Sequence, residues 1–220
     1  MDNLEQAISL MKEGKMEEAV QFFTAAIEEK PDDPVGYINF GNLLLHMNDY
    51  DRAERFYMKA IELDEKAATA FYGLGNLYFE QSKYKKAQKN YQQAMELGLE
   101  EGDVFLMLGL TFQHQGHQKL ALPYLLRATE LAPEDESTLF QYGLALAQTE
   151  QIEDAQNIFK KVISINEEHS DAHYNLGVTY LLQDKADDAI QHFDQALTIQ
   201  PNHELAMNGK AAIEAILNEE

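Results

Sequence analysis

Residues 68–101 read ATAFYGLGNLYFEQSKYKKAQKNYQQAMELGLEE, and they contain two apolar-patterned segments separated by a short break. The apolar side chains fall at Phe71, Leu74, Leu77 and Tyr78 and then at Ala87, Tyr91, Ala94 and Met95. Spacings of three and four residues place side chains on one face of a helix. The break lies near Gln81, Ser82 and Lys83. This stretch therefore predicts two helices joined by a tight turn.

The same pattern recurs along the chain with a period of 34 residues. Glycine marks it at Gly41, Gly75, Gly109, Gly143 and Gly177. Small and bulky residues follow in the same frame at Ala19, Ala53, Ala87, Ala121, Ala155 and Ala189 and at Phe23, Tyr57, Tyr91, Leu125, Phe159 and Phe193. A fixed period of this length is typical of stacked helical hairpins. Small residues allow the paired helices to approach closely, and bulky ones fill the space between neighbouring hairpins.

The boundaries of these hairpins carry helix-ending and helix-starting signals. Gly14, Asn48 and Gly116 stand at the turn positions and tolerate a helix end. Asp33 followed by Pro34 provides an N-cap and a first-turn proline. Pro123 falls inside a predicted second helix, where we expect it to kink or delay that helix.

These residues resemble the tetratricopeptide repeat, a helix–turn–helix unit of 34 residues with aromatic, Leu-Gly, Tyr, Ala, aromatic, Ala and Pro at fixed positions. The resemblance implies an all-α fold, a right-handed superhelical solenoid of antiparallel helix pairs. We expect one domain over residues 1–220, with repeats at about 1–33, 34–67, 68–101, 102–135, 136–169 and 170–203 and a capping helix at 204–217. In that last helix Lys210 and Glu214 replace bulky residues, which favours a solvated cap.

Composition excludes several classes of function. The chain has 38 Asp and Glu against 17 Lys and Arg, a net charge of −21, which disfavours binding to nucleic acid or to anionic membranes. The absence of cysteine excludes disulfides and thiolate metal sites. The N-terminal residues lack a signal-peptide pattern and no apolar run is long enough to span a bilayer, so we expect a cytoplasmic protein.

No catalytic motif is present, and we expect neither enzymatic activity nor a cofactor. His114 with His117 and His169 with His173 have spacings that suit metal ligands, but neither pair has a third ligand nearby in sequence. A structural or solvent-exposed role is favoured for both pairs, and no metal site is predicted. The basic cluster Lys83, Lys85, Lys86 and Lys89 is interpreted as a solvated helix face.

The resemblance implies that first helices of the pairs line an inner surface that holds peptide segments of other proteins. The positions that point inward in the family give the candidate groove residues Ile38, Asn39, Asn42, Tyr72, Asn76, Phe79, Leu106, Phe140, Tyr174 and Asn175. The asparagine amides can both donate and accept hydrogen bonds to an extended backbone. Each apolar residue can either contact a partner or pack against a neighbouring helix, and the sequence leaves both alternatives open.

Acidic residues are concentrated at the inward and rim positions. The candidate acidic rim comprises Glu80, Glu100, Glu101, Asp103, Glu134, Asp135 and Asp171. Such a rim favours a partner segment that carries Lys or Arg beside apolar anchors. The family's carboxylate clamp for chaperone C-terminal tails is not expected, because Ile38 and Tyr72 stand where its first lysine would be. The predicted function is a peptide-binding adaptor; the alternative is a structural unit that self-associates, so a homo-oligomer is possible.

Overall fold

The fold was analysed in a computed structural model that describes residues 2–217, with side chains to residue 216. Thirteen helices and no strand occur in this part of the chain. The helices are α1 (Asn3–Lys12), α2 (Met16–Glu29), α3 (Pro34–His46), α4 (Tyr50–Leu63), α5 (Ala68–Glu80), α6 (Tyr84–Glu96), α7 (Gly102–His114), α8 (Gln118–Leu131), α9 (Glu136–Gln148), α10 (Ile152–Ile165), α11 (Ser170–Leu181), α12 (Ala186–Ile199) and α13 (Glu204–Leu217). The all-α array of helix pairs is thus confirmed.

Helix contacts group the chain into two compact units, one ending at Gln115 and one beginning at Gly116. In the first unit each helix from α1 to α7 packs against the next, and the first helices α1, α3, α5 and α7 also contact one another in sequence order. In the second unit, α8 to α13 pack successively, and α9, α11 and α13 form the corresponding row. The single domain predicted over residues 1–220 stays a prediction.

One residue in each hairpin turn has a left-handed backbone. Successive residues of this set are 34 positions apart, and the set comprises Gly14, Asn48, Ser82, Gly116, Glu150 and Asp184. Glycine adopts this conformation without a Cβ clash, and Asn tolerates it, which confirms the turns predicted at three positions. Ser82 and Glu150 adopt it with φ of 56° and 66° although neither residue type signals such a turn, and Asp184 adopts it with φ of 59°.

Helix starts follow the predicted capping chemistry in part. Asp33 accepts a hydrogen bond from the Val35 amide at 3.0 Å, with Pro34 as the first helical residue. Helix α8 begins at Gln118 and continues through Pro123, so the expected delay of this helix is wrong. Pro123 removes one backbone donor and crowds the preceding turn, yet the register of α8 still places Ala121 and Leu125 in the core.

The core of each unit consists of second-helix rings packed against first-helix glycines. A Cβ at Gly41 would lie 2.7 Å from the Tyr57 ring, and one at Gly177 would lie 2.7 Å from the Phe193 ring. Glycine is therefore required at these positions because the rings occupy the space of a side chain, as the repeat pattern predicts. Tyr57 and Phe193 are both buried.

The final helix, α13, adds one more layer to α12. Ala206 and Ile213 are buried in a cluster with Phe193. Lys210 pairs with Asp194 of α12 at 2.6 Å and stays partly in solvent. A flank of α13 exposes apolar side chains, with Leu205 57% and Ile216 63% exposed. The helix is therefore less polar on its outer face than Lys210 and Glu214 suggest.

Candidate functional site

Two candidate groove residues and one candidate rim residue of the first unit lie on the same face of helix α5. Tyr72, Asn76 and Glu80 are four residues apart, so they form one stripe along the helix face. This stripe lines a cavity of about 450 Å³ between α3, α5 and α7. The other lining residues are Leu45, His46 and Asn48 from the end of α3 and its turn, and Met107 from α7. Three of the residues selected from the sequence thus share one cavity.

Each asparagine at the inner position of α3 and α5 is tied to a tyrosine on the paired second helix. The Tyr57 hydroxyl donates to Asn42 Oδ1 at 2.7 Å, and the Tyr91 hydroxyl donates to Asn76 Oδ1 at 2.8 Å. The amide oxygen is therefore used within the fold, and the NH₂ group is what these residues can offer to a partner. Burial raises the pKa of the Tyr57 and Tyr91 hydroxyls, so both remain protonated donors.

The charges of two carboxylates act on the hydroxyl of Tyr72. Its pKa is raised, first by burial and then by the negative charges of Asp103 and Glu101, while a hydrogen bond from Asn76 opposes the rise. The charge of Glu80 contributes to the raised pKa of Tyr91. None of these three carboxylates forms an ion pair within residues 2–217. Negative charge is therefore concentrated around the cavity without an internal counter-ion.

The remaining candidates of the first unit are half-buried rather than free. Ile38 packs beside the buried Ala60, Ala67 and Ala70. Phe79 contacts the rings of Tyr84 and His114 edge-on at 5.5 and 5.2 Å. Leu106 is also half-buried, Asn39 donates to the Val35 carbonyl of its own helix at 2.9 Å, and Glu100 is exposed. Ile38, Phe79 and Leu106 are therefore partly packed against neighbouring side chains and partly exposed, so both alternatives that the sequence left open apply to them.

In the second unit the aromatic candidates are covered by histidines. Phe140 lies 5.9 Å from Phe159 and 4.7 Å from His169, measured between ring centroids. Tyr174 lies 5.7 Å from Phe193 and 5.2 Å from His203. Each inner-row ring is thus held between a second-helix phenylalanine and the histidine that precedes the next first helix.

These histidines are held in place by backbone hydrogen bonds. His169 Nδ1 accepts from the Ala172 amide and His203 Nδ1 accepts from the Ala206 amide, both at 3.2 Å. The Nε2 atom of His203 also lies 3.1 Å from Asp171 Oδ1. The candidate rim residue Asp171 therefore contacts His203. The sequence did not indicate this contact, because histidine is an unusual N-cap.

The other polar candidates of the second unit have structural partners or lie in solvent. Asn175 donates to the Asp171 carbonyl at 2.8 Å, in the same way as Asn39 in the first unit. Asp135 caps α9 by accepting from the Thr138 amide at 2.7 Å. Glu134 is exposed. Asn175 and Asp135 thus already have hydrogen-bond partners within the second unit.

A second pair of histidines lies between α11 and α12. The Nδ1 atoms of His173 and His192 are 3.2 Å apart, so one ring must donate and the other accept. Burial lowers the pKa of both; the charge of His169 lowers that of His173 further, and the charge of His173 lowers that of His192 further. No group of three or more metal-ligating side chains occurs among residues 2–217.

Family profiles described as Tetratricopeptide repeat match residues 3–33, 35–100, 66–134, 136–169 and 170–203. The chain belongs to the tetratricopeptide repeat family. These proteins mediate protein–protein interaction and are typically non-catalytic scaffolds. No helix between residues 2 and 217 has the length and apolar character needed to cross a membrane.

Relatives of this tetratricopeptide repeat protein include YrrB of Bacillus subtilis (strain 168), which is 49% identical over 41 residues. That match spans 19% of this chain and 20% of the curated relative. The crystal structure of YrrB, described as a TPR protein with an unusual peptide-binding site, aligns with a TM-score of 0.80 and 44% identity, over 86% of this chain and 97% of that chain.

More distant solved structures share the fold alone. Pseudomonas aeruginosa PilF aligns with a TM-score of 0.83 and 17% identity, over 96% of both chains. MamA from Desulfovibrio magneticus RS-1 aligns with a TM-score of 0.70 and 21% identity, over 76% of this chain and 95% of that chain.

Proposed function

We propose that this protein is an interaction adaptor that binds an extended segment of a partner protein along the first helices of its repeats. The observation that carries the proposal is the cavity on α5, where Tyr72, Asn76 and Glu80 form one stripe, and where Glu80, Glu101 and Asp103 have no ion pair among the described residues 2–217. The YrrB structure, described as having a peptide-binding site, supports the same class of function.

The partner segment combines apolar anchors with Lys or Arg. Half-buried apolar side chains such as Ile38, Leu106 and Phe79 supply surface for the anchors. The acidic residues Glu80, Glu101 and Asp103 favour a cationic segment and speed its approach. Nucleic acids and anionic membranes fit poorly with a net charge of −21, and the cytoplasmic location stays a prediction from the N-terminal sequence.

The proposal is tested by selecting displayed random peptides against the full chain and mapping their footprints by amide NMR shifts. Peptides whose footprint lies on α3, α5 and α7 support a groove in the first unit. Selected peptides that contact only second helices, or no selection above background, contradict the proposal. Leu106→Glu is the disrupting variant, because it places a charge in the apolar row, and Leu126→Glu on the exposed face of α8 is its control.

Self-association is the second candidate function, and the exposed apolar side of α13 favours it. Leu205 and Ile216 are exposed there. Light scattering at increasing protein concentration should then show a dimer that Leu205→Lys with Ile216→Lys returns to monomer. A concentration-independent monomer excludes this alternative and leaves the adaptor function in place.

A further inference from the structure

The cavity on α5 differs chemically from the corresponding position of every other repeat. Its stripe ends in a carboxylate, Glu80, whereas the equivalent positions hold Lys12, His46, His114, Gln148, Leu182 and Ile216. The tyrosine and asparagine of the stripe also occur together nowhere else in that frame. The site is therefore specific to one repeat and does not follow from the shared architecture.

The walls of this cavity suit a long aliphatic stem that ends in a polar head. Leu45 and Met107 provide apolar surface on α3 and α7, and the Tyr72 ring provides a flat face on α5. Lys and Arg side chains bury such stems along apolar surface while the charged head stays near water or a counter-ion. A cation also gains from contact with the negative face of a tyrosine ring.

The charges around the cavity fix the sign of the head group. Glu80 lines the cavity, and Glu101 and Asp103 act on the Tyr72 hydroxyl from the start of α7. His46 is the one lining residue that can carry positive charge. Asn76, whose oxygen is used by Tyr91, presents only donors and does not replace a carboxylate as the acceptor.

We propose that this cavity is a specificity pocket for one Lys or Arg side chain of the bound segment. The head group pairs with Glu80, its stem packs on Leu45 and Met107, and the Tyr72 ring flanks it. The inference rests on the proposed peptide-binding function and adds which repeat selects the cationic residue.

The test uses the full chain labelled with ¹⁵N and two small probes at about pH 8. N-acetyl-arginine amide is the cationic probe, and N-acetyl-citrulline amide is its neutral analogue of nearly the same shape. A ligand of this size typically reaches a dissociation constant of about 1 mM. We expect the arginine probe to shift the amide resonances of Asn76, Glu80 and Met107 and to bind about threefold to tenfold more tightly than citrulline. N-acetyl-lysine amide, added separately, shows whether an ammonium is accepted as well.

Glu80→Gln keeps the shape of the side chain and removes its charge, so it should bring arginine and citrulline to equal affinity. Glu96→Gln makes the same charge change at an exposed position on α6, and it should leave the preference intact. Equal binding of the two probes by the unmodified protein, or an arginine preference that survives Glu80→Gln, overturns the pocket.

The two proposals fail separately. If displayed peptides bind the first helices but the probes are not distinguished, the adaptor function stands and the pocket is wrong. If the arginine probe binds at Glu80 while no peptide footprint lies on the first helices, the pocket is a cation site and the adaptor function is wrong.

Discussion

The repeats in residues 34–101 place a polar pair of side chains where the repeats in residues 136–203 place an apolar pair. In the former, Tyr57 and Tyr91 donate to Asn42 and Asn76. In the latter, Phe159 and Phe193 hold the ring position, and Leu144 and Val178 pack against their clusters where the asparagines would be. The polar pair brings an amide to this position, and the apolar pair leaves this position without one.

The inner rings differ in the same two regions. His169 and His203 cover Phe140 and Tyr174. The residue that corresponds to these histidines beside Tyr72 is Glu101, whose charge acts on the Tyr72 hydroxyl. One repeat frame thus produces an acidic, polar cavity in the first unit and a row of aromatic rings covered by histidines in the second.

Removal of a whole ring should give the largest effect, and it should be equal in both regions. Tyr91→Ala and Phe193→Ala each delete a fully buried ring that packs against a glycine. We expect each to lower the free energy of unfolding by about 3 to 5 kcal/mol, measured by urea denaturation. Exposed Met58→Ala is the control and should change it by less than about 0.5 kcal/mol. A much smaller loss for one ring would show that its repeat does not depend on the ring.

Introducing a hydroxyl into the apolar region should lower the free energy of unfolding by less than removal of a ring does. Adding a hydrogen-bond acceptor for this hydroxyl should restore stability. Phe159→Tyr places a hydroxyl beside Leu144 without an acceptor, which costs about 1 to 3 kcal/mol. Adding Leu144→Asn recreates the pair of the second and third repeats and should recover part of that loss. A double-mutant cycle measures the coupling. Purely additive losses would mean that the Asn–Tyr pair depends on surroundings beyond these two positions.

The 34-residue frame made the helix pairs, the glycine–ring contacts and half of the turns predictable, because each rests on one residue type at one position. The Asn–Tyr bonds were missed although Asn42 with Tyr57 and Asn76 with Tyr91 have the same separation of 15 residues. That shared spacing was the available signal. The caps by His169 and His203 and the left-handed residue at Glu150 could not be predicted, since these residue types do not indicate such conformations.

Acid should destabilise the second unit selectively. Burial holds the pKa of His173 and His192 below 6.5, the ordinary histidine value. Folding therefore favours the neutral rings, so their stabilisation is complete above about pH 6.5 and is lost as the pH falls through the lowered values. His173 faces His192 and His169, and His192 faces Tyr180, Asp188 and Lys160.

We expect the free energy of unfolding to fall from pH 7.5 to 5.5, with faster hydrogen exchange in α11 and α12. The variant His173→Phe with His192→Leu removes both titrating rings and should flatten this dependence, whereas His46→Gln in the first unit should not. Equal acid sensitivity of α3 to α6 would contradict a selective effect on the second unit.

The smallest effect is expected at the asparagines whose amides bond to their own helix. Asn39 and Asn175 donate to carbonyls four residues earlier, and those carbonyls already accept bonds within the helix, so the side-chain bond adds little. Alanine also has the higher helix propensity, by roughly 0.5 kcal/mol. Asn39→Ala and Asn175→Ala should therefore change the free energy of unfolding by less than about 0.5 kcal/mol.

Asn76→Ala, which leaves the buried Tyr91 hydroxyl without its acceptor, should cost about 1 to 3 kcal/mol in the same denaturation experiment. Because the first two variants leave the fold intact, a fall in peptide affinity with either one reports contact with the partner directly, whereas the same fall with Asn76→Ala does not separate contact from packing. Unchanged peptide affinity in both Asn39→Ala and Asn175→Ala would remove these two amides from the groove.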